Sequence, residues 1–425
     1  MSTPSAQSER AVRSGWIDAA LVASRPQAVG ALLRYFRALS TAEDAFQEAC
    51  LRALKSWPES GVPSNPAAWL IFVGRNVGLD EARRLQKQTA LPEADQLEPQ
   101  DDVEDALVER LDQAQARDDV LRLLFVCCHP ELPASQQVAL ALRIVSGLSV
   151  PEIARAFLVS EVAMGQRITR AKQRIADASV PFETPTPEEQ AERLVVVQAM
   201  IYLLFNEGYA ASSGAQHIRL PLAQEAIRLS RLLLRLFPSE VEIMGLTALL
   251  LLHHARAPAR LDAEGRIVLL ADQDRGLWDG ALIREGLGLV EKARRLGDLG
   301  PYQVQAGIAA AHVVARSAAD TDWAEIDRLY AALETLQPSP VITLNRAVAV
   351  AKVRGAAAAL AMIEPLEHKL ASYFHFFGLQ GGLLLELGER ALARAALDRA
   401  LALANTTAET EHIKLLLARL GEEPG

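Results

Sequence analysis

Apolar residues recur at helical spacing along most of the chain, and the pattern is sharpest between residues 149 and 175. There Ile153, Ala154 and Phe157 fall on one face of a short helix, while Val162, Ile168, Ala171 and Ile175 line the inner face of a second. Ser149 with Glu152 has the spacing of a capping box, and Ser160 stands where the next helix needs an N-cap. Arg167, Arg170, Lys172 and Arg174 are left for the outside. Two short helices, a tight turn and a basic second helix predict a helix-turn-helix, which enters the major groove with the N-terminal part of its second helix near base edges. An ordinary solvated basic helix is the competing reading.

Upstream, the pattern predicts a helix through AVGALLRYFRAL and another through TAEDAFQEACLRALKSW, with Thr41 and Asp44 as a capping signal. Three prolines and a glycine in 56–66 predict a loop. The next helix opens at Pro66 and carries Arg75, Asn76, Arg83, Arg84 and Lys87, with Trp69 and Phe72 among them. Cations and aromatics on one helix suit separated strands, whose bases stack and whose phosphates need counter-charge, although both aromatics read more simply as core.

Downstream, TPTPEEQ at 184–190 is a Pro-containing link followed by a helix start, with Thr186 as cap and Pro187 at the first helical position. Helix then follows helix. Gly355 and Gly388 stand 33 residues apart at matching places, as do Ala358 and Ala391, and a looser unit covers 302–337. That period fits stacked tetratricopeptide-like hairpins, with a generic α-solenoid left open.

Composition and charge sharpen the picture. The chain has 425 residues, half of them apolar and only 5% aromatic, which fits an all-α protein of several domains. No run of about 18 uncharged apolar residues and no signal peptide is apparent, so a cytoplasmic protein without membrane contact is expected. Cys50, Cys127 and Cys128 read as reduced thiols. The net charge of −9 is unevenly spread: residues 91–119 hold eleven Asp or Glu against two Arg, and the rest of the first 180 residues is net +6. Two basic modules therefore flank an acidic tether, whereas 181–425 is net −6 without a basic stripe.

The succession DAFQEA (44–49), AWLIFVGRNVGLDEARR (68–84), an acidic linker and GLSVPEIARAFLVSEVAMGQRITRAKQRI (147–175) resembles regions 2 and 4 of the extracytoplasmic-function sigma factors of bacterial RNA polymerase. Residues 118–425, with LFVCCHP, YLLFNEGYAASSG and DQDRGLWD, resemble the group of these factors that carries a C-terminal extension. The resemblance implies region 2 over 10–90, a linker over 91–118, region 4 over 119–180, a helical extension over 184–299 and tetratricopeptide-like repeats over 300–425. It implies that Asp44, Gln47 and Glu48 face core RNA polymerase. The loop 56–66, with Trp57, would capture melted −10 bases together with Asn76, supported by Arg75, Arg83, Arg84 and Lys87. Ser160, Gln166, Arg167, Arg170 and Arg174 would read the −35 element of promoter DNA. The linker would act as a nucleic-acid mimic or as a spacer.

The expected function is promoter recognition with core polymerase and without enzymatic activity, cofactor or metal, and with a further protein partner for the repeats. The alternative is a helix-turn-helix regulator or helical scaffold that works without polymerase. A second basic module with a base-capturing loop has no use in a repressor, which favours the first. Cys127, Cys128 and His129 lack a second ligand pair for a metal, His253 and His254 mark a helix end, and the polar residues of NEGYAASSG and DQDRGLWD lack a nucleophile with its base.

Overall fold

The computed structural model describes residues 6–87, 113–157, 159–178, 187–210, 220–260, 262, 268–297, 299–404 and 407–421. Among them the regular elements are helices alone, and the chain divides into two compact units, 1–203 and 204–425.

In the first unit α1 (Ala6–Phe36), α2 (Leu39–Ser60) and α3 (Pro66–Lys87) pack on one another. The inner stripe of α2 is Leu39, Ala42, Phe46, Ala49, Ala53 and Trp57, spaced by three or four residues. Asn65 starts α3 by accepting from the Ala68 amide at 3.1 Å. Next come α4 (Gln113–Cys127), α5 (Ala134–Ile144), α6 (Val150–Ala156) and α7 (Glu161–Asp177). The boundary of the unit falls inside α8 (Pro187–Ala210).

The last two helices of the motif start as their sequences predict. The Ser149 and Glu152 side chains cap α6 reciprocally, which holds the Glu152 carboxyl below its usual range, and Ser160 Oγ accepts from the Ala163 amide at 3.2 Å. Three expectations change. Val162 is exposed, and Met164 takes its place on the buried stripe of α7 with Ile168, Ala171 and Ile175. This phase keeps i, i+4, i+7 and i+11 on one face. The segment 56–60 continues α2 rather than looping, because Pro58 costs only one amide donor near a helix end; the turn is confined to 61–65 and begins at Gly61 with φ 84°. Thr41 and Asp44 lie within α2, whose N-cap is Ala38 and has no side-chain bond. Thr186 lies outside the described residues.

Regions expected to be separate modules pack together in this unit. A Cβ on Gly30 of α1 would stand 2.5 Å from the Asp119 carbonyl oxygen of α4, so the two backbones touch. The Asp119 side chain, counted by charge with the acidic tether, is instead buried and paired with Arg34 at 2.8 Å and Arg122 at 3.3 Å. Glu43 of α2 is buried as well, its side chain only 2% exposed. It receives Lys172 Nζ of α7 at 2.5 Å, Arg143 Nε of α5 at 3.0 Å and Arg25 Nη2 of α1 at 3.8 Å. Lys172 is therefore not an outward cation. Arg25 also donates to the Ile144 and Arg143 carbonyls at 2.8 and 3.2 Å, closing the C-terminal end of α5. Burial pulls its guanidinium below the usual value while Glu43 opposes the shift.

The second unit continues with α9 (Leu220–Leu236) and α10 (Val241–His254), and Ile243 through Leu252 of α10 are all buried. Around it pack α9, α11 (Gly280–Leu296) and α12 (Pro301–Val314). Gly245 lets α10 touch α12, since a Cβ there would meet the Gln303 backbone at 2.5 Å. Glu242 accepts from the Tyr302 and Gln303 amides at 3.0 Å each, capping α12 from another helix. With α12 begin three successive hairpins, completed by α13 (Trp323–Leu336), α14 (Pro340–Arg354), α15 (Ala356–Ile363), α16 (Phe374–Glu386) and α17 (Arg390–Leu403), before α18 (Thr407–Gly421). Gly355 and Gly388, the pair that set the 33-residue period, occupy matching turns with φ 88° and 79°. Asp327 joins α13 to α14 through Arg346 at 2.7 Å and Arg354 at 2.8 Å.

Two expected outcomes follow from these interiors. Glu43→Gln removes the counter-charge of three partly buried cations and should cost the first unit about 3 kcal/mol. Lys172→Met, which leaves Glu43 two cations, should cost less. Urea unfolding of both variants reads the difference, and a wild-type midpoint for Glu43→Gln would show that the carboxylate holds nothing together. In the second unit, burial and Arg256 lower the pKa of His253 to about 3 and of His312 to about 4. The unfolded chain takes up these protons near pH 6.5 and the folded chain only near 3 and 4, so the unfolded state binds more protons in between. Stability of this unit is therefore complete above pH 6.5 and declines toward pH 4, by at most about 1.4 kcal/mol per pH unit for each imidazole. Thermal melts at pH 7 and pH 5 should differ for the wild type and differ less for His312→Gln.

Candidate nucleic-acid interface

The solvent face of α7 is a cationic stripe. Gln166, Arg170 and Arg174 are exposed at four-residue spacing, with Arg167 half-buried beside them. Arg174 reaches Gln136 Oε1 at 3.4 Å, whereas Arg167 and Arg170 have no carboxylate partner among the described residues. Their charges are left to solvent. The Ser160 oxygen is engaged at the start of α7, which aims the free amides of the first turn outward in the way that suits phosphate.

A second polar surface lies on α3. Asn76 is exposed, and Arg75 beside it places its guanidinium 4.4 Å from the centre of the Tyr35 ring, itself 40% exposed. Stacking fixes the orientation of that cation while leaving hydrogen-bond donors on its edge. The side chains of Arg83, Arg84 and Lys87 lie outside the described residues, although α3 extends through them. Trp57, expected at the DNA, is a core residue 1% exposed, packed edge-on against half-buried Trp69 at 5.3 Å. Its place on the inner stripe of α2 explains the difference.

The outer face of α2 presents Asp44 and Gln47, with Glu48 half-buried and ion-paired to Arg52 at 3.4 Å. Sequence reasoning missed two residues on the same face, Leu51 and Leu54, which are 54% and 47% exposed. Leucines at i+7 and i+10 from Asp44, opposite the buried stripe, were the available signal. It also missed Glu43, whose position one residue after Ala42 and three before Phe46 puts a carboxylate on the apolar side of the helix.

The remaining candidates are quiet chemically. Burial pushes the Cys50 thiol up to about 11, Cys128 up to about 12 and Cys127 well above its usual value, which suppresses the thiolate needed for ligation or attack. Among the described residues no helix is long and apolar enough to cross a membrane.

Comparison with known proteins agrees with this geometry. The sigma-70 region 2 family matches residues 21–88, which hold most of α1 with α2 and α3, and the sigma-70 region 4 family matches 122–175, which hold the helix-turn-helix. A family of unknown function, DUF6596, matches 193–294. An uncharacterized protein of Rhizobium meliloti (strain 1021) is 62% identical over 411 residues, covering 97% of each chain. No solved structure matches. The chain therefore carries sigma-70 regions 2 and 4 in the order α1–α3 then α4–α7, each presenting a polar or cationic face, and these two regions support an RNA polymerase sigma factor of the extracytoplasmic-function kind, a transcription initiation factor and not an enzyme, with core polymerase and promoter DNA as its partners.

Proposed function

We propose that the two DNA faces divide the work, with α7 reading the −35 element as duplex through Gln166, Arg167 and Arg170, and α3 holding the melted −10 strand through Arg75 and Asn76. The outer face of α2, with Asp44, Gln47, Glu48, Leu51 and Leu54, docks on core polymerase. The observation that carries this reading is the unpaired cationic stripe on a capped, otherwise well-buried helix. The resemblance assigns Arg83, Arg84 and Lys87 to strand holding as well, and Ser160 and Arg174 flank the duplex contact.

Engaging both elements requires the two regions to separate. The promoter elements are centred about 25 base pairs apart, roughly 85 Å along B-form DNA. Gln166 lies only about 9 Å along α7 from Lys172, and Lys172 is bonded to Glu43 of the region 2 helix. Both elements cannot be engaged while that bond persists. The 25 residues between Lys87 and Gln113 span at most about 90 Å when extended, a reach comparable with the spacing of the elements. Opening therefore breaks the Glu43 cluster.

The second unit, which we read as tetratricopeptide-like over 300–425, controls or is required for sigma activity through a protein partner, on the strength of its stacked hairpins and its net negative charge.

Two substitutions separate the DNA steps. Arg170→Ala should weaken promoter binding by about 1–3 kcal/mol and relax base preference at −35. Asn76→Ala should leave that binding unchanged and lower permanganate reactivity of −10 thymines in the complex with core polymerase. Equal effects of the two variants on both readouts would remove the division of labour. For the second unit, a chain ending at Leu203 should transcribe differently from the full chain, losing activity if the unit is required and gaining it if the unit inhibits. Identical rates under every condition would refute a regulatory role.

A further inference from the structure

A cavity of about 370 Å³ lies in the second unit, between α13, α14 and the turn at 270–275. That volume is in the range of small-molecule sites, about 300–1,000 Å³. Two helix stripes form its walls. Trp323, Ile326 and Tyr330 come from α13 at i, i+3 and i+7, and Asn345, Val348 and Lys352 come from α14 with the same spacing. Leu270 and Arg275 close it from the turn. The walls are apolar and partly aromatic, while the polar groups are concentrated in a few side chains.

The charges in the lining have one sign. No Asp or Glu lines the cavity among the described residues. Lys352 is exposed at its mouth and has no ion pair or hydrogen bond among the described residues. Arg275 is held rigidly: its Nη1 donates to the His312 and Ala315 carbonyls at 2.6 and 2.8 Å, and its guanidinium lies 4.6 Å from the Trp278 ring centre. Its other nitrogens have no acceptor among the described residues. Behind it stands Arg256, whose Nε is buried without a hydrogen-bond partner. Both arginines depress His312, which lines the same cavity. The counter-charge that acts on Arg275 is Asp320, whose carboxylate is already bonded to the Ser317 amide and hydroxyl at 3.1 and 2.8 Å. A cationic corner against an aromatic wall, with its arginine already ordered, complements a ligand that combines a flat apolar body with a negative end.

We propose that this cavity binds a small planar organic anion, an aromatic carboxylate, with its ring against Trp323 and Val348 and its carboxylate toward Lys352 and Arg275. Asn345 supplies an amide for a further polar group on the ring. Such a ligand bridges α13, α14 and the 270–275 turn, so binding stabilises the second unit by mass action. The DQDRGLWD segment, which has no role in reading DNA, thereby acquires one: Asp274 accepts from the Gly276 amide at 2.8 Å and so shapes the turn that presents Arg275.

The test is made on the full chain and does not depend on its activity in transcription. Isothermal titration with 2-naphthoate and with 2-naphthamide compares the same ring with and without the charge. We expect one saturable equivalent of naphthoate, binding of naphthamide weaker by about tenfold or more, and a loss of about tenfold or more in Lys352→Glu. Lys352 is exposed and outside the core, so the thermal midpoint of unliganded Lys352→Glu should match that of the wild type. Equal affinity for acid and amide, unchanged naphthoate binding by Lys352→Glu, or no saturable binding up to about 1 mM would each overturn the proposal.

Discussion

One buried carboxylate organises the first unit. Glu43 sits on the inner side of the region 2 helix whose outer face is proposed to dock on polymerase, and three cations from three other helices converge on it. Removing a carboxylate from water is costly unless its partners are close and its remaining oxygen sites are filled. Both oxygens are engaged here, Oε1 by Arg143 and Arg25 and Oε2 by Lys172. The arrangement of α1, α2, α5 and α7 is tied to that convergence, because moving any one of them leaves a charge in a poorly hydrated place. Gly30 and Asp119 act alongside it: the glycine allows the α1 and α4 backbones to meet, and the aspartate pairs across the same contact.

Most of the local structure was legible in the sequence because its causes are local. The reciprocal cap at Ser149 and Glu152, the cap at Ser160 and the turn glycines at 355 and 388 depend on residues within a few positions of one another. Errors arose where a distant partner decided. Lys172 reads as one of four outward cations until Glu43, 129 residues earlier, is brought to it. Asp119 reads as part of an acidic tether until Arg34 of α1 approaches. Val162 and Met164 differ by two positions, and only the phase of the packed helix chooses between them. Trp57 reads as a loop residue because prolines surround it, yet the turn starts only at Gly61 and the indole stays on the buried stripe.

The second unit is governed by another constraint. Helix α10 is apolar on every side, so neighbours must surround it, and the closest approaches are made through backbone. Gly245 leaves no room for a Cβ against the Gln303 backbone, and in the last hairpin Gly381 of α16 leaves none against the Leu397 side chain of α17. Close packing of this kind accounts for the scarcity of aromatic residues, since small and branched aliphatic side chains fill narrow gaps between helices. Around Trp323 and Tyr330 the packing opens into the cationic cavity, whereas Tyr373, Phe374, Phe376 and Phe377 close into the core of the last hairpins. The interior is therefore dense at α10 and polar at one corner.

The net negative charge of the chain and its affinity for DNA are reconciled by where the cations are bound. In the closed first unit Lys172 and Arg143 are held by Glu43, while Arg167 and Arg170 remain available. On the proposed function, separation of regions 2 and 4 would return Lys172 to the surface of α7, on the same helix as the residues proposed to read DNA. Phosphates and the Glu43 carboxylate would then compete for one ammonium group, so that under this proposal DNA binding and opening favour each other through a shared cation. Every additional phosphate that a side-chain cation neutralises releases condensed counter-ions and steepens the salt dependence of binding. Retention of Lys172 by Glu43 lowers the charge of α7 in the closed unit, and under the proposed function it would restrain non-specific binding and yield that charge where both promoter elements are engaged.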